Sequence, residues 1–191
     1  MSLNRPNKGL VVLDRDGVIN RDSDTFIKSA AEWVPLPGSI AAIASLSKAG
    51  YTVAVASNQS GLARGLFSRN ALTAMHRKLR RLVANEGGVV ARIVICPHGP
   101  GEGCDCRKPK PGLLTRLAKY FGISMRGVPV IGDSLRDLEA AVAVGATPIL
   151  VRTGKGRSTE SRLYGKLANV AVYDDLAAAA AGLLRKTGPP C

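Results

Sequence analysis

The chain has 191 residues, 46% of them hydrophobic, which supplies enough apolar material for a folded core and argues against disorder. Its formal net charge of +13, from 27 Lys and Arg against 14 Asp and Glu, favours anionic partners such as phosphorylated metabolites, nucleic acid or anionic lipid. Aromatic residues are only 4%, too few to furnish good stacking platforms for single-stranded nucleic acid, and no run approaches the ~18 apolar residues of a membrane span.

The N-terminal segment MSLNRPNKG lacks the apolar stretch of a signal peptide, so a cytoplasmic location without membrane attachment is expected. The run 10–13, LVVL, reads as a strand and delivers LDRDGVINRDSD at 13–24. Side chains two apart on a strand share a face, so Asp14 and Asp16 are expected side by side at its end. Like charges crowded in a basic chain call for a cation between them. A long loop, 20–37, follows, then a helix over 38–49 and a strand over 52–56. That strand opens into Ser57-Asn58-Gln59-Ser60-Gly61, where a hydroxyl and free backbone N–H groups can cradle an anion.

Residues 68–86 read as a helix, with Leu72, Met75, Leu79, Leu82 and Val83 at helical spacing. His76, among Arg77, Lys78, Arg80 and Arg81, reads as part of its solvated face. After a strand over 93–95 comes a second long loop, 96–110, within the stretch CPHGPGEGCDCRKPKPG. Cys96, His98, Cys104 and Cys106 fall within eleven positions and match a closed tetrahedral zinc set. A cytosolic setting disfavours disulfides, and the other cysteine, Cys191, is terminal. With every position filled by protein, such a zinc is structural. Arg107 and Lys108, at the loop's end, are cations suited to phosphate oxygens.

Residues 111–121 read as a helix with Pro111 in its first turn, and 128–131 as a strand ending at Gly132-Asp133-Ser134-Leu135-Arg136-Asp137. Ser134 and Asp137 have the spacing of a helix cap for a helix over 134–144, so Asp137 reads as mainly structural. Strands over 147–151 and 170–173 and a helix over 174–185 complete the chain, leaving 187–191, TGPPC, as a flexible tail. The segment RTGKGRS, 152–158, resembles a Walker A loop but lacks the required Gly and Ser/Thr positions, so nucleotide binding is rejected and its role stays open.

Strand–helix alternation of this kind implies one α/β domain over 1–191, with a mostly parallel central sheet between two helical layers. Ligands of such sheets collect beyond the strands' carboxyl ends, where both long loops emerge. There Asp14, Asp16 and Asp133 are expected to converge as hard oxygen ligands for Mg²⁺.

LDRDG, SNQSG, the Lys108 region and GDSLRD, in that order, resemble the four motifs of the haloacid dehalogenase (HAD) superfamily of phosphohydrolases. DRDGVIN, ASNQSGLARG, CPH…CDCRKPKPG and VRTGKG are similar, more closely, to the branch of heptose bisphosphate and histidinol-phosphate phosphatases. The resemblance covers about 10–155. It implies a HAD-like Rossmannoid fold and phosphatase chemistry. Asp14 would be the nucleophile and Asp16 the acid and base. Mg²⁺ would sit on the Asp14 carboxylate, the Asp16 carbonyl and Asp133. Ser57 and the Asn58 amide would hold the phosphoryl group, beside Gln59 and Ser60, with Lys108 balancing its charge. It also implies a capless form. Spacing agrees, since the 42 positions from Asp16 to Asn58 already hold a helix and a strand. Specificity then falls to loops. Asp22, Ser23, Asp24 and Thr25 are candidates for sugar hydroxyls, and each reads equally as a local Asx-type turn. Ser134 stands where the heptose phosphatases tend to carry Lys, which leaves Arg107 as a candidate contact for substrate phosphate or sugar. The expected substrate is a sugar bisphosphate, a heptose bisphosphate cleaved at C7 in nucleotide-activated heptose synthesis. Histidinol phosphate and polynucleotide 3′-phosphates are the alternatives. A monomer is expected, and nucleic acid is disfavoured.

Overall fold

A computed structural model of the chain describes residues 8–186, so the expected tail over 187–191 lies outside the described residues. Six strands form one sheet: β1 (Leu10–Leu13), β2 (Thr52–Asn58), β3 (Arg92–Cys96), β4 (Pro129–Gly132), β5 (Thr147–Val151) and β6 (Ala171–Tyr173). The helices are α1 (Ser39–Lys48), α2 (Arg69–Asn85), α3 (Gly112–Phe121), α4 (Leu135–Ala143), α5 (Gly156–Glu160) and α6 (Leu176–Lys186). Sequence boundaries agree with these to within two residues. The helix α5 falls in the segment that periodicity left open, since five residues are too short to show a helical repeat.

Strand order is β3-β2-β1-β4-β5-β6, and every pairing is parallel. The alternation in β1 explains the two helical layers. Val11 and Leu13 face a core shared with Ile43 and Leu46 of α1, Met75 and Leu79 of α2 and Leu176 of α6. Leu10 and Val12 face the other core, against Leu113 and Leu117 of α3 and Ala140 and Ala141 of α4. A sheet buried on both faces needs apolar residues at every position, and β1 reads LVVL with all four buried.

The strand order reverses between β1 and β4, where connections leave to opposite sides and a crevice opens beyond the strands. The loops after β1, β2 and β4 and the long loop after β3 all lead there. Lys78 of α2 secures the first of the long loops, donating to Ala30 and Trp33 carbonyls at 2.7 Å each. No helix among the described residues is long and apolar enough to cross a membrane.

Candidate active site

Asp14 follows β1 directly, and its N–H donates to the Ile131 carbonyl of β4 at 2.9 Å, which fixes it at the crevice. The chain then turns sharply. Ile19 N–H reaches back to Arg15 O at 2.8 Å, and Gly17 takes φ +80°, a conformation open to glycine. Because β1 stops at Leu13, strand alternation does not extend to Asp16.

The carboxylates that converge are those of Asp14, Asp133 and Asp137, with ligand oxygens within 4.8 Å of one another. Lys108, 4% exposed, stands among them. Its ammonium lies 2.9 Å from Asp14 Oδ1, pairs with Asp137 Oδ1 and donates to the Ala56 carbonyl at 2.8 Å. Burial pushes the Asp14 carboxyl up to about 7, with Lys108 pulling the other way and Asp137 and Asp16 adding repulsion. Burial, then the charges of Asp14 and Asp137, pushes Asp133 up to about 8. One ammonium does not neutralise three carboxylates. Clustered hard oxygens fit a divalent cation such as Mg²⁺, whose charge removes that repulsion.

Asp133 is held from several sides. Lys155 N–H donates to its Oδ2 at 2.8 Å, and Thr159 Oγ1 donates to its carbonyl at 2.9 Å. Gly17 and Gly154 press against it so closely that a Cβ on either would stand 2.1 Å from Asp133 Oδ2. The RTGKG segment, unassigned from sequence, is therefore a cradle for this carboxylate. Arg152 pins the segment through Glu160 and Asp174, each at 2.7 Å.

The structure corrects the expectation that the Asp16 carboxylate joins the metal-facing group. Arg15 donates to it from Nε at 3.0 Å and Nη2 at 2.8 Å, Asn20 Nδ2 at 2.9 Å, and Gln59 Nε2 at 2.8 Å. Burial alone would raise this carboxyl, but the Arg15 charge and these hydrogen bonds win and hold it below its ordinary value. Asp137 takes the third place, and its reading as mainly structural is corrected. Its Oδ2 accepts from the Ser134 N–H at 3.1 Å, capping α4, while Oδ1 faces Lys108.

At the end of β2, Ser57 is buried and the Asn58 side chain clasps the Lys108 backbone, donating to its carbonyl and accepting from its N–H at 3.1 Å each. That clasp brings the loop after β3 onto β2. It leaves Asn58 its backbone N–H for the crevice. Gln59 N–H already serves Cys96 O at 2.7 Å, and parallel ladders alternate sides, so the Asn58 N–H points where β1 has ended. The Gln59 side chain, expected to contact substrate, is engaged with Asp16 and with Ser57 Oγ at 2.9 Å.

These groups floor a cleft of about 320 Å³, which Asp22, Ser23, Asp24 and Ser60 also line. Thr25 is not among the lining residues; its hydroxyl lies 3.1 Å from Ser23 Oγ. The rim carries Arg64, Arg107, Arg136 and Lys155, of which only Arg107 was anticipated. Arg64, Arg107 and Arg136 line the same cleft, and burial, then the charges of Arg136 and Arg64, pushes the Arg107 guanidinium down. Arg64 lies within ASNQSGLARG, in the turn before α2, and Arg136 within GDSLRD, in α4, but neither a turn nor a helical cation carries a sequence sign of direction. His76 is not on a solvated face. Burial, then the charge of Arg15, lowers it to about 4.

The loop after β3 gathers Cys96, His98, Cys104 and Cys106 as expected. Cys96 Sγ lies 3.6 Å from His98 Nδ1 and 3.7 Å from Cys104 Sγ; Cys106 Sγ lies 3.3 Å from His98 Nδ1 and 3.7 Å from Cys104 Sγ. A tetrahedron with Zn–S of ~2.3 Å and Zn–N of ~2.0 Å separates its donors by roughly 3.5–3.8 Å. The set fits zinc and excludes disulfides, whose sulfurs are ~2.05 Å apart. The loop also aims Arg107, whose Nη1 donates to the His98 carbonyl at 3.2 Å.

Comparison with known proteins places this geometry among phosphatases. The HAD-hydrolase-like family model matches residues 105–179, and the polynucleotide kinase 3 phosphatase model matches residues 10–133. The D-glycero-beta-D-manno-heptose-1,7-bisphosphate 7-phosphatase of Pseudomonas putida is 59% identical over 92% of this chain and 99% of that protein. Its Pseudomonas aeruginosa counterpart is 54% identical over 94% of this chain and 99% of that protein. A crystal structure of the D,D-heptose 1,7-bisphosphate phosphatase from B. bronchiseptica, complexed with magnesium and phosphate, superposes with a TM-score of 0.90. It is 52% identical, covering 94% of this chain and 99% of that one.

Proposed function

Because the chain belongs to the D-glycero-beta-D-manno-heptose-1,7-bisphosphate 7-phosphatases, within the HAD-like hydrolases, we propose that it hydrolyses the 7-phosphate of that heptose bisphosphate. The product would feed synthesis of nucleotide-activated heptose for surface glycans such as the lipopolysaccharide core. The observation that carries the reading is the buried Lys108 ammonium set between Asp14 and Asp137 beside a cleft floored by carboxylates.

The chain acts as one catalytic domain. Asp14 attacks phosphorus, forming an aspartyl-phosphate as the bond to the sugar oxygen breaks. Asp16, ionised while it pairs with Arg15, takes up a proton from solvent once free of that charge, gives it to the departing alkoxide and later takes one from the water that hydrolyses the intermediate. To do so its carboxyl turns from Arg15 towards the cleft. The Ser57 hydroxyl and the Asn58 N–H seat the transferring oxygens, and Lys108 balances their charge. Asp14, Asp133 and the Asp16 carbonyl, with Asp137 beside them, would hold Mg²⁺, which supplies charge neutralisation at phosphorus; the magnesium and phosphate in the B. bronchiseptica structure support this. Cys96, His98, Cys104 and Cys106 would hold a structural zinc that keeps Arg107 and Lys108 in place.

The rim cations favour a bisphosphate. Arg64, Arg107 and Arg136, which line the cleft together, would seat the phosphate that is not cleaved, with Arg136 compensating for Ser134. The cationic amine of histidinol phosphate would meet repulsion there. Phosphate release should be measured on the heptose bisphosphate, histidinol phosphate and a 3′-phosphorylated oligonucleotide. A kcat/KM on the heptose bisphosphate at least tenfold above the others supports the reading. Preference for the oligonucleotide would favour the activity named in the second family model.

A further inference from the structure

Gln59 occupies a position that its expected contact with substrate does not explain. It is 4% exposed, and its backbone is locked at both ends, the N–H to Cys96 O at 2.7 Å and the carbonyl accepting from Leu62 N–H at 3.2 Å. Its Nε2 donates to Asp16 Oδ2 at 2.8 Å and to Ser57 Oγ at 2.9 Å, while Oε1 accepts from Arg15 Nη2 at 3.2 Å. The amide has only one workable orientation. Arg15 can only donate, and an ionised Asp16 can only accept.

We propose that Gln59 is a positioning residue for the phosphatase reaction, setting both the hydroxyl direction of Ser57 and the place of Asp16. The Ser57 contact has a directional consequence. When Ser57 Oγ accepts from Gln59, its own proton turns to another acceptor. The acceptor that arrives in the cleft is a phosphoryl oxygen, so Gln59 makes Ser57 a donor to the transferring group. Asp16 Oδ2 is shared between Gln59 Nε2 at 2.8 Å and Arg15 Nη2 at 2.9 Å, while Arg15 Nε and Asn20 hold Oδ1, so Gln59 keeps a grip on Oδ2 when Arg15 lets go. Release of the Arg15 contact then swings Asp16 about a tether instead of freeing it. One side chain thus joins the phosphoryl seat to the proton-transfer group.

The inference rests on the phosphatase reading, and its test is separable from it. Gln59→Met keeps length and packing without the amide, and Gln59→Glu keeps an acceptor for Arg15 while removing the donors. Both are assayed on the heptose bisphosphate and on p-nitrophenyl phosphate, whose phenolate departs without needing a proton. Removing the tether should lower kcat/KM on the sugar substrate about thirtyfold, part of the ~10²–10⁴ that acid–base catalysis supplies. On p-nitrophenyl phosphate, where only the Ser57 effect remains, the loss should stay below about fivefold. Equal losses on both substrates, or losses under twofold on both, would overturn the proposal. Should neither variant fold, NMR of the wild-type protein decides: slow exchange of the Gln59 side-chain amide protons supports the tether, and solvent-like exchange removes it. Full activity in Asp14→Asn would sink the phosphatase reading itself, whereas an inactive Asp14→Asn beside normal Gln59 variants would remove Gln59 alone.

Discussion

Lys108 holds its ammonium 2.9 Å from the Asp14 carboxylate, inside the protein and within reach of Asp137 as well. A cation so placed does two things. It makes the carboxylate cluster tolerable before substrate arrives, and it meets the phosphoryl charge afterwards. Lys108→Met removes the cation while leaving both carboxylates buried, and unpaired buried charges of this kind cost about 3–5 kcal/mol. The variant should unfold at lower denaturant, recover part of that loss when Mg²⁺ is added, and lose at least about a hundredfold in kcat. Lys108→Arg should not rescue turnover, since a planar guanidinium cannot occupy the same enclosed point.

The carboxylates also set a dependence on pH. Asp14 and Asp133 are raised from the ordinary 3.8 to about 7 and about 8, so between these values the folded metal-free protein binds more protons than the unfolded chain. Their contribution is greatest below the unfolded value and is lost as pH rises through the folded ones. Without Mg²⁺, Tm should fall from pH 5 to pH 8. Mg²⁺ binding displaces those protons, so its stabilising shift should be larger at pH 8 than at pH 5. Differential scanning calorimetry with and without Mg²⁺ reads both signs; a metal-induced shift that shrinks with pH contradicts the assignment.

Stripping the zinc loop should act on the cleft from a distance. Cys104→Ser or a strong chelator removes a donor of the tetrahedron, and with it the loop that aims Arg107 and anchors Lys108 against Asn58. Metal analysis should find about one zinc per purified chain, from a closed four-ligand set. Loss of that zinc should lower both Tm and kcat/KM, and re-addition to the chelated protein should restore them.

The rim arginines should decide selectivity more than rate. Arg107→Ala and Arg136→Ala each delete a cation from the space proposed for the second phosphate. Charge-assisted hydrogen bonds contribute about 1.5–3 kcal/mol, so KM for the bisphosphate should rise roughly tenfold to a hundredfold. The KM for p-nitrophenyl phosphate, which has no second phosphate, should hardly move. Equal effects on both substrates would assign these arginines to the cleaved phosphate instead.

The fold was legible because apolar runs of three to seven residues sit between helical repeats, several of them stopping at Asp, Ser or Gly as β1 does at Asp14. The cysteine–histidine loop was legible because its donors are close in sequence. What failed depended on where a strand stops. Asp14 and Asp16 share a face only while β1 continues, and it ends at Leu13, so Asp137 joined the carboxylate cluster in place of Asp16. The cap spacing of Ser134 and Asp137 was read correctly, yet a carboxylate has two oxygens and the second was free for Lys108. The cradle over 152–159 was hidden for another reason. Its backbone N–H and its glycines do the work, through packing against Asp133 that no residue pattern announces.

The central claim concerns one bond, between phosphorus and Asp14. During turnover of the heptose bisphosphate with Mg²⁺, enzyme quenched in acid and digested should yield a peptide containing Asp14 that carries the mass of one phosphoryl group, absent in Asp14→Asn. Steady turnover with no such adduct, or an adduct on another residue, would contradict the account.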